Sequence, residues 1–272
     1  MINRKHHMEP QMFSFKKETI VGIVGGMGPA ASNKLLELIT DNTNVHSDQE
    51  HIKLLMFSNP QIPDRSAYLL ENQENPSNEI IKSIKKLKKA GATHAALACN
   101  TAHAPKIFNK VLCRSPIPII NMVELTVEKL RKQHGDLKTK VCVLGTTGTI
   151  KSEIYDCYLK QFNFQPVKLS SDDQDSIMRT IYEIKRTGVM RIHEKTLEDI
   201  MKRVQANENC DNFILGCTEL SLLNISQPIQ IIDPLRILAE DIVYLSRAKE
   251  KKQPHKRVAR LFSSVMREKI VR

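Results

Sequence analysis

Two short stretches place a cysteine in the same local setting. Ala98-Cys99-Asn100-Thr101 and Gly216-Cys217-Thr218 lie 118 residues apart, and each follows an apolar run of strand length. A thiol with an ordinary pKa near 8.5 is only a few per cent thiolate at neutral pH, yet it is a strong nucleophile and a usable acid or base. Lowering it by about 1.5 units takes roughly 2 kcal/mol, which a helix N-terminus with nearby hydroxyl and amide donors can supply. Two such thiols facing each other suit inversion at carbon, where one removes a proton from one face and the other delivers a proton to the opposite face. A single cysteine behind a buried strand reads as a small core residue. That reading is kept for Cys113, Cys142, Cys157 and Cys210, and the matched setting of Cys99 and Cys217 sets those two apart. No CxxC pair and no Cys/His cluster at zinc spacing is present, so no metal site is expected.

The surrounding pattern repeats once. Gly25-Gly26-Met27-Gly28-Pro29 corresponds to Gly145-Thr146-Thr147-Gly148-Thr149 at an offset of 120. Pro116-Ile117-Pro118-Ile119-Ile120-Asn121 corresponds to Pro228-Ile229-Gln230-Ile231-Ile232-Asp233 at an offset of 112. Strands are expected at 20–24, 52–57, 95–98 and 117–120, and again at 141–144, near 167–169, at 213–215 and at 229–232. Helices are expected between them, among others at 31–44 and 77–90, the latter with Ile80, Ile81, Ile84 and Leu87 on one face and lysines opposite. Apolar strands alternating with helices predict parallel sheets covered on both faces. The fold class is therefore α/β: two similar halves, each a mostly parallel sheet flanked by helices; if these pseudo-symmetric domains face each other, the active site lies in the cleft between them. In such sheets the loops at the carboxyl ends of the strands form the ligand crevice, and both cysteines fall in those loops.

With 272 residues, 41% of them hydrophobic, the chain has enough apolar material for such a core. The net charge of +11 is misleading as a sign of nucleic-acid binding. Residues 247–272 hold ten Lys/Arg against Glu250 and Glu268, a surplus of eight, so the body is nearly neutral and no nucleic-acid partner is expected. Val258, Leu261, Phe262 and Val265 recur there at helical spacing, which admits a weak contact with an anionic surface as the alternative to a solvated tail. No run approaches the roughly 18 apolar residues of a membrane span. Residues 1–18 read as a leader without a targeting signal, and a reduced cytoplasmic location is expected. Gly26-Met27-Gly28-Pro29-Ala30-Ala31 formally matches a dinucleotide fingerprint. The second strand, however, ends in Phe57-Ser58-Asn59-Pro60 without the acidic residue that would hold a ribose, and a dinucleotide site is rejected.

Four segments in order resemble the aspartate/glutamate racemase family, most nearly its PLP-independent aspartate racemases. They are Gly25-Gly26-Met27-Gly28-Pro29, Asn59-Pro60-Gln61-Ile62-Pro63-Asp64-Arg65, Ala98-Cys99-Asn100-Thr101-Ala102-His103 and Leu215-Gly216-Cys217-Thr218-Glu219-Leu220. The resemblance spans residues 19–246. It implies a homodimer, a small dicarboxylic amino acid as substrate, no cofactor, and two-base racemisation with Cys99 and Cys217 as the catalytic pair. It implies domains of 19–124 plus 222–246, and 125–221. It further implies that Asn100, Thr101 and Thr218 hold the α-carboxylate. By the same resemblance Arg65 grips the side-chain carboxylate, Lys185 is a second substrate-binding cation, and Met27 and Gln61 line the pocket. Interconversion of L- and D-aspartate is the expected activity. A glutamate or broad-specificity racemase, or a related cysteine-dependent isomerase, is the alternative, and a binding protein that works through its basic tail is the third reading. A decarboxylase needs only one proton donor, which the two cysteines argue against.

Overall fold

The structure, a computed structural model, describes residues 19–135, 138–225 and 229–247. The leader and nearly all of the basic tail lie outside the described residues. The first sheet comprises β1 (Val21–Gly25), β2 (Leu54–Ser58), β3 (His94–Leu97) and β4 (Ile119–Ile120), in the order β2-β1-β3-β4. The second comprises β5 (Lys140–Leu144), β6 (Gln165–Val167), β7 (Asn212–Leu215) and β8 (Gln230–Ile232), in the order β6-β5-β7-β8. Every pairing in both sheets is parallel. The α/β class and the internal duplication expected from the sequence are thus realised strand for strand.

The sequence explains each element. β1, β3 and β7 are buried at every position and, apart from His94 and Asn212 at the starts of β3 and β7, read as apolar runs, as strands covered on both faces do. β4 is only two residues long because Pro116 and Pro118 cannot donate to a ladder, although the Pro118 carbonyl still accepts from Ala95 N. β6 begins two residues earlier than expected, and its Pro166 is tolerated because β6 is an edge strand.

In the first half, α1 (Pro29–Asn42) starts on a proline whose missing N–H costs nothing at a helix start. α2 (Arg65–Glu71) is capped by Asp64, which accepts from Ala67 N at 2.8 Å. α3 (Ser77–Lys89) buries Ile80, Ile81, Ile84 and Leu87, and carries three lysines in its last turn, where they suit the helix dipole. α4 (Pro105–Arg114) and α5 (Met122–His134) follow. The second half contains α6 (Thr147–Lys151), α7 (Asp156–Gln161), α8 (Ser171–Thr187) and α9 (Arg191–Glu208). Finally α10 (Pro234–Arg247) packs on α1 and α5.

That last helix returns to the first sheet, where Leu235, Leu238, Ala239 and Ile242 pack with Leu35, Ile39 and Ile23. The strand before it does not return. β8 pairs with β7, so residues 230–232 belong to the second sheet, and the expected cut at 222 is corrected to a crossing at Asp233. Asp233 marks that crossing as a helix cap: its Oδ1 accepts from Leu235 N, Arg236 N and Ser221 Oγ. Among the described residues no helix is long and apolar enough to cross a membrane.

Candidate active site

The strand orders decide where a ligand can sit. β1 lies between β2 and β3, so the chain leaves β1 and β3 toward opposite sides of the sheet, and a crevice opens above their carboxyl ends. Met27 follows β1 and Cys99 follows β3. The same relationship in the second sheet sets Thr146 above β5 and Cys217 above β7. The two crevices face each other and close on a single small cavity of about 10 Å3, barely room for one water molecule.

Cys99 and Cys217 both line this cavity and are 6% and 5% exposed. Met27, Arg65, Asn100, Thr101, Thr218 and Lys185 line it with them, as do Asp64, Ser66, Thr146 and Glu219. Gln61 does not. It is exposed in the loop after β2, with its N–H on Asn59 Oδ1, and the expectation that it lines the pocket is corrected on that ground. Thr146 was legible in the repeat as the counterpart of Gly26, but no signal distinguished its hydroxyl from an ordinary cap. Glu219, which the sequence leaves as either a neighbour that tunes Cys217 or a residue favouring a helix start, lies against the Cys217 thiol.

The expected helix N-termini behind the cysteines are absent. Cys99 leads into a single 3-10 turn, Thr101–His103, before α4, and Cys217 into another, Leu220–Leu222. Side chains set the electrostatics instead, and differently on the two sides. Cys217 Sγ donates to Glu219 Oε2 at 2.9 Å, and burial, followed by that carboxylate, pushes the thiol well above its ordinary range. Cys99 has a cation beside it, the guanidinium of Arg65.

Arg65 is buried at the start of α2. Its Nη1 donates to Ile62 O and Pro63 O, both at 3.2 Å, and its Nη2 to Met27 O at 2.9 Å. Its Nε is buried with no hydrogen-bond partner. Burial alone would lower its pKa, but Cys99 and Asp64 outweigh burial and hold it above the usual arginine value. Lys185 Nζ lies 3.8 Å from Glu219 Oε1. Burial opposes its charge too, and Glu219 and Cys217 overcome that and raise its pKa.

The halves are stitched together at this point by their polar residues. Thr101 Oγ1 lies 3.2 Å from Thr146 Oγ1 and 2.9 Å from Thr149 Oγ1. Thr218 Oγ1 donates to Ala98 O at 3.4 Å, and Asn100 Nδ2 to Leu215 O at 3.5 Å. The residue after each cysteine therefore bonds the chain just before the other. Two glycines permit this approach. A Cβ on Gly28 would meet Glu219 Oε1 at 2.8 Å, and one on Gly148 would meet Ser66 Oγ at 2.7 Å. The Glu219 carboxylate beside Gly28 also covers the start of α1, where a dinucleotide phosphate would have to bind. Among the described residues no group of three or more His, Cys, Asp or Glu could hold a metal ion.

Two parallel-sheet halves, each delivering one buried thiol to a shared cavity, define a two-domain racemase fold. The relatives narrow it: the family model for Asp/Glu/hydantoin racemases matches residues 24–242, and the chain belongs to that family. It is 27% identical to the broad specificity amino-acid racemase RacX of Bacillus subtilis, over 82% of this chain and 96% of that protein. It is 29% identical to a glutamate racemase of Staphylococcus epidermidis, over 60% of this chain and 62% of that protein. Among solved structures, Picrophilus torridus aspartate racemase superposes with a TM-score of 0.75 at 32% identity, covering 89% of this chain and 99% of that one.

Proposed function

We propose that this protein racemises aspartate by two-base proton transfer between Cys99 and Cys217 without a cofactor, acting as a homodimer in the cytoplasm. The observation that carries the reading is the pair of buried thiols, one from each half, lining one cavity that also holds Arg65 and Lys185. A thiolate on one side takes the α-proton, and the thiol on the other side protonates the opposite face. Cys217, held as a thiol by burial and by Glu219, is the proton donor of the resting protein, which leaves removal of the proton to Cys99. Removing an α-proton from a zwitterion builds negative charge that Asn100, Thr101 and Thr218 meet at the α-carboxylate. The two cations meet the side-chain carboxylate, Arg65 through its unpartnered Nε. The closed cavity excludes water once the substrate is in, and the halves must part to admit it.

Broad amino-acid specificity is the second reading. It is supported by the three main-chain carbonyls that already occupy Arg65, and by the similarity to RacX. Proton NMR in deuterated buffer without PLP, on L-aspartate, D-aspartate, L-glutamate and L-alanine, decides between the two. Loss of the Cα–H signal with appearance of the opposite enantiomer for aspartate alone supports the first reading. Comparable exchange with alanine supports the second, and no exchange with any of the four refutes both.

A further inference from the structure

The pseudo-twofold symmetry is broken beside Cys99 by a residue that the chemistry above does not use. At the offset of 120 that relates the halves, Tyr155 stands where the first half has Leu35. Leu35 is an ordinary core residue of α1. Tyr155 sits in the turn between α6 and α7, just past Glu153 with its left-handed φ of 49°, and it is 1% exposed. Its hydroxyl reaches across the junction of the halves to Asn100 Oδ1 at 2.5 Å.

This contact settles which way the Asn100 amide faces. The amide's other end meets Leu215 O, a carbonyl that can only accept, so that end is the NH2 group. The end facing Tyr155 is then the amide oxygen, and the tyrosine must be the donor. Two second-half groups, a hydroxyl and a main-chain carbonyl, thus hold a first-half amide in one orientation. Of the two N–H bonds on Nδ2, one goes to Leu215 O, and among the described residues the other has no protein acceptor in a cavity that Asn100 lines. Thr218, the counterpart of Asn100 beside Cys217, has no such tyrosine and spends its hydroxyl on Ala98 O.

We propose that Tyr155 is a positioning residue that keeps the Asn100 amide turned so that an N–H, rather than the carbonyl oxygen, faces the substrate carboxylate. The proposal rests on the racemase reading for its substrate. It makes the donor set asymmetric, with a locked amide beside Cys99 and no locked partner beside Cys217. A flipped amide would set a lone pair against a carboxylate, which converts an attraction into a repulsion.

The test is Tyr155→Phe, which removes one oxygen and keeps the ring, assayed by Cα–H exchange alone and combined with Asn100→Ala. The kcat/KM of Tyr155→Phe should fall about ten- to a hundred-fold, and the double variant should be no slower than Asn100→Ala, because the hydroxyl acts through that amide. Full activity in the single variant, or an equal loss from Tyr155→Phe in both backgrounds, would overturn the proposal; the second result is what a merely structural tyrosine gives. If Tyr155→Phe does not fold, proton NMR of the folded protein replaces it. The Tyr155 hydroxyl proton should resonate far downfield and move in Asn100→Ala, and an unmoved signal overturns the proposal. Wild-type protein that exchanges no amino acid would refute the racemase reading, while the hydroxyl resonance would still decide the role of Tyr155.

Discussion

Cys217 and Glu219, two residues apart in the chain, share a hydrogen bond of 2.9 Å with both partners buried, and among the described residues no carboxylate stands in the same relationship to Cys99. The duplicated scaffold therefore delivers two thiols that are alike in position and unlike in charge environment. Glu219→Gln keeps the shape and removes the charge. The Cys217 thiol should then titrate at lower pH, since the carboxylate that adds to burial in raising it is gone. Thiolate ultraviolet absorbance against pH, with Cys217→Ser as the blank, measures this, and an unmoved titration would leave burial as the sole cause.

Each thiol is needed for inversion. Cys99→Ser and Cys217→Ser should each reduce racemisation by about 10²–10⁴-fold, the usual worth of a positioned acid or base, with circular dichroism unchanged. A rate near wild type in either variant would exclude the two-base assignment.

Gly148 brings α6 of the second half against α2 of the first. A Cβ there would stand 2.7 Å from Ser66 Oγ and 3.0 Å from Ser66 Cα, and the second of these is backbone that cannot rotate away. Gly148→Ala should cost about 1–3 kcal/mol in urea unfolding and raise KM, because α2 carries Arg65. Gly135→Ala, with nothing among the described residues within 4 Å but a φ of 63°, separates backbone strain from crowding: it should lower stability and leave KM alone.

Two titratable groups, the half-buried Glu124 and the buried His103, shape stability against pH in opposite directions. Burial, and then Glu128, push Glu124 up from an ordinary 4.5 to about 7. The folded protein keeps a proton that the unfolded chain releases, so this contribution is present below pH 4.5 and is lost as pH rises to about 7. Glu124→Gln should raise the melting temperature near pH 8 more than near pH 5, by the equivalent of about 2–3 kcal/mol at most. Burial holds His103 down at about 4 while its Nδ1 donates to Cys99 O at 2.8 Å. The unfolded chain takes up that proton first, so stability falls as pH drops from 6.5 toward 4. The two windows overlap between about pH 4.5 and 6.5, where the opposing slopes largely cancel. Differential scanning calorimetry should therefore show little net pH dependence there in the wild type, and Glu124→Gln should uncover the His103 slope, with stability falling as pH drops from 6.5 toward 4.

Much of this molecule is legible in the order of its residues. The apolar runs at β1, β3, β5 and β7, the lysine-backed stripe of α3 and the near-constant offset between halves are local or periodic features, and periodicity is a property of sequence. Cys99 and Cys217 stand out for the same reason, since a repeat exposes matched positions without any contact being known. The sequence alone thus determined two parallel sheets and a thiol at the functional edge of each. It did not determine what each thiol meets. Gln61 and Arg65 stand four residues apart in one recognisable segment, yet the loop turns one outward and buries the other against Met27 O. The single turns after the cysteines looked like helix starts because turn and helix share their first residues. Glu219 against Gly28, the pairing of β8 with β7 before α10 crosses back, and Tyr155 on Asn100 all join groups brought together by the closing of one half on the other. Such contacts depend on three-dimensional approach at the scale of one methyl group, which the order of residues along a chain does not encode locally and only the folded structure decides.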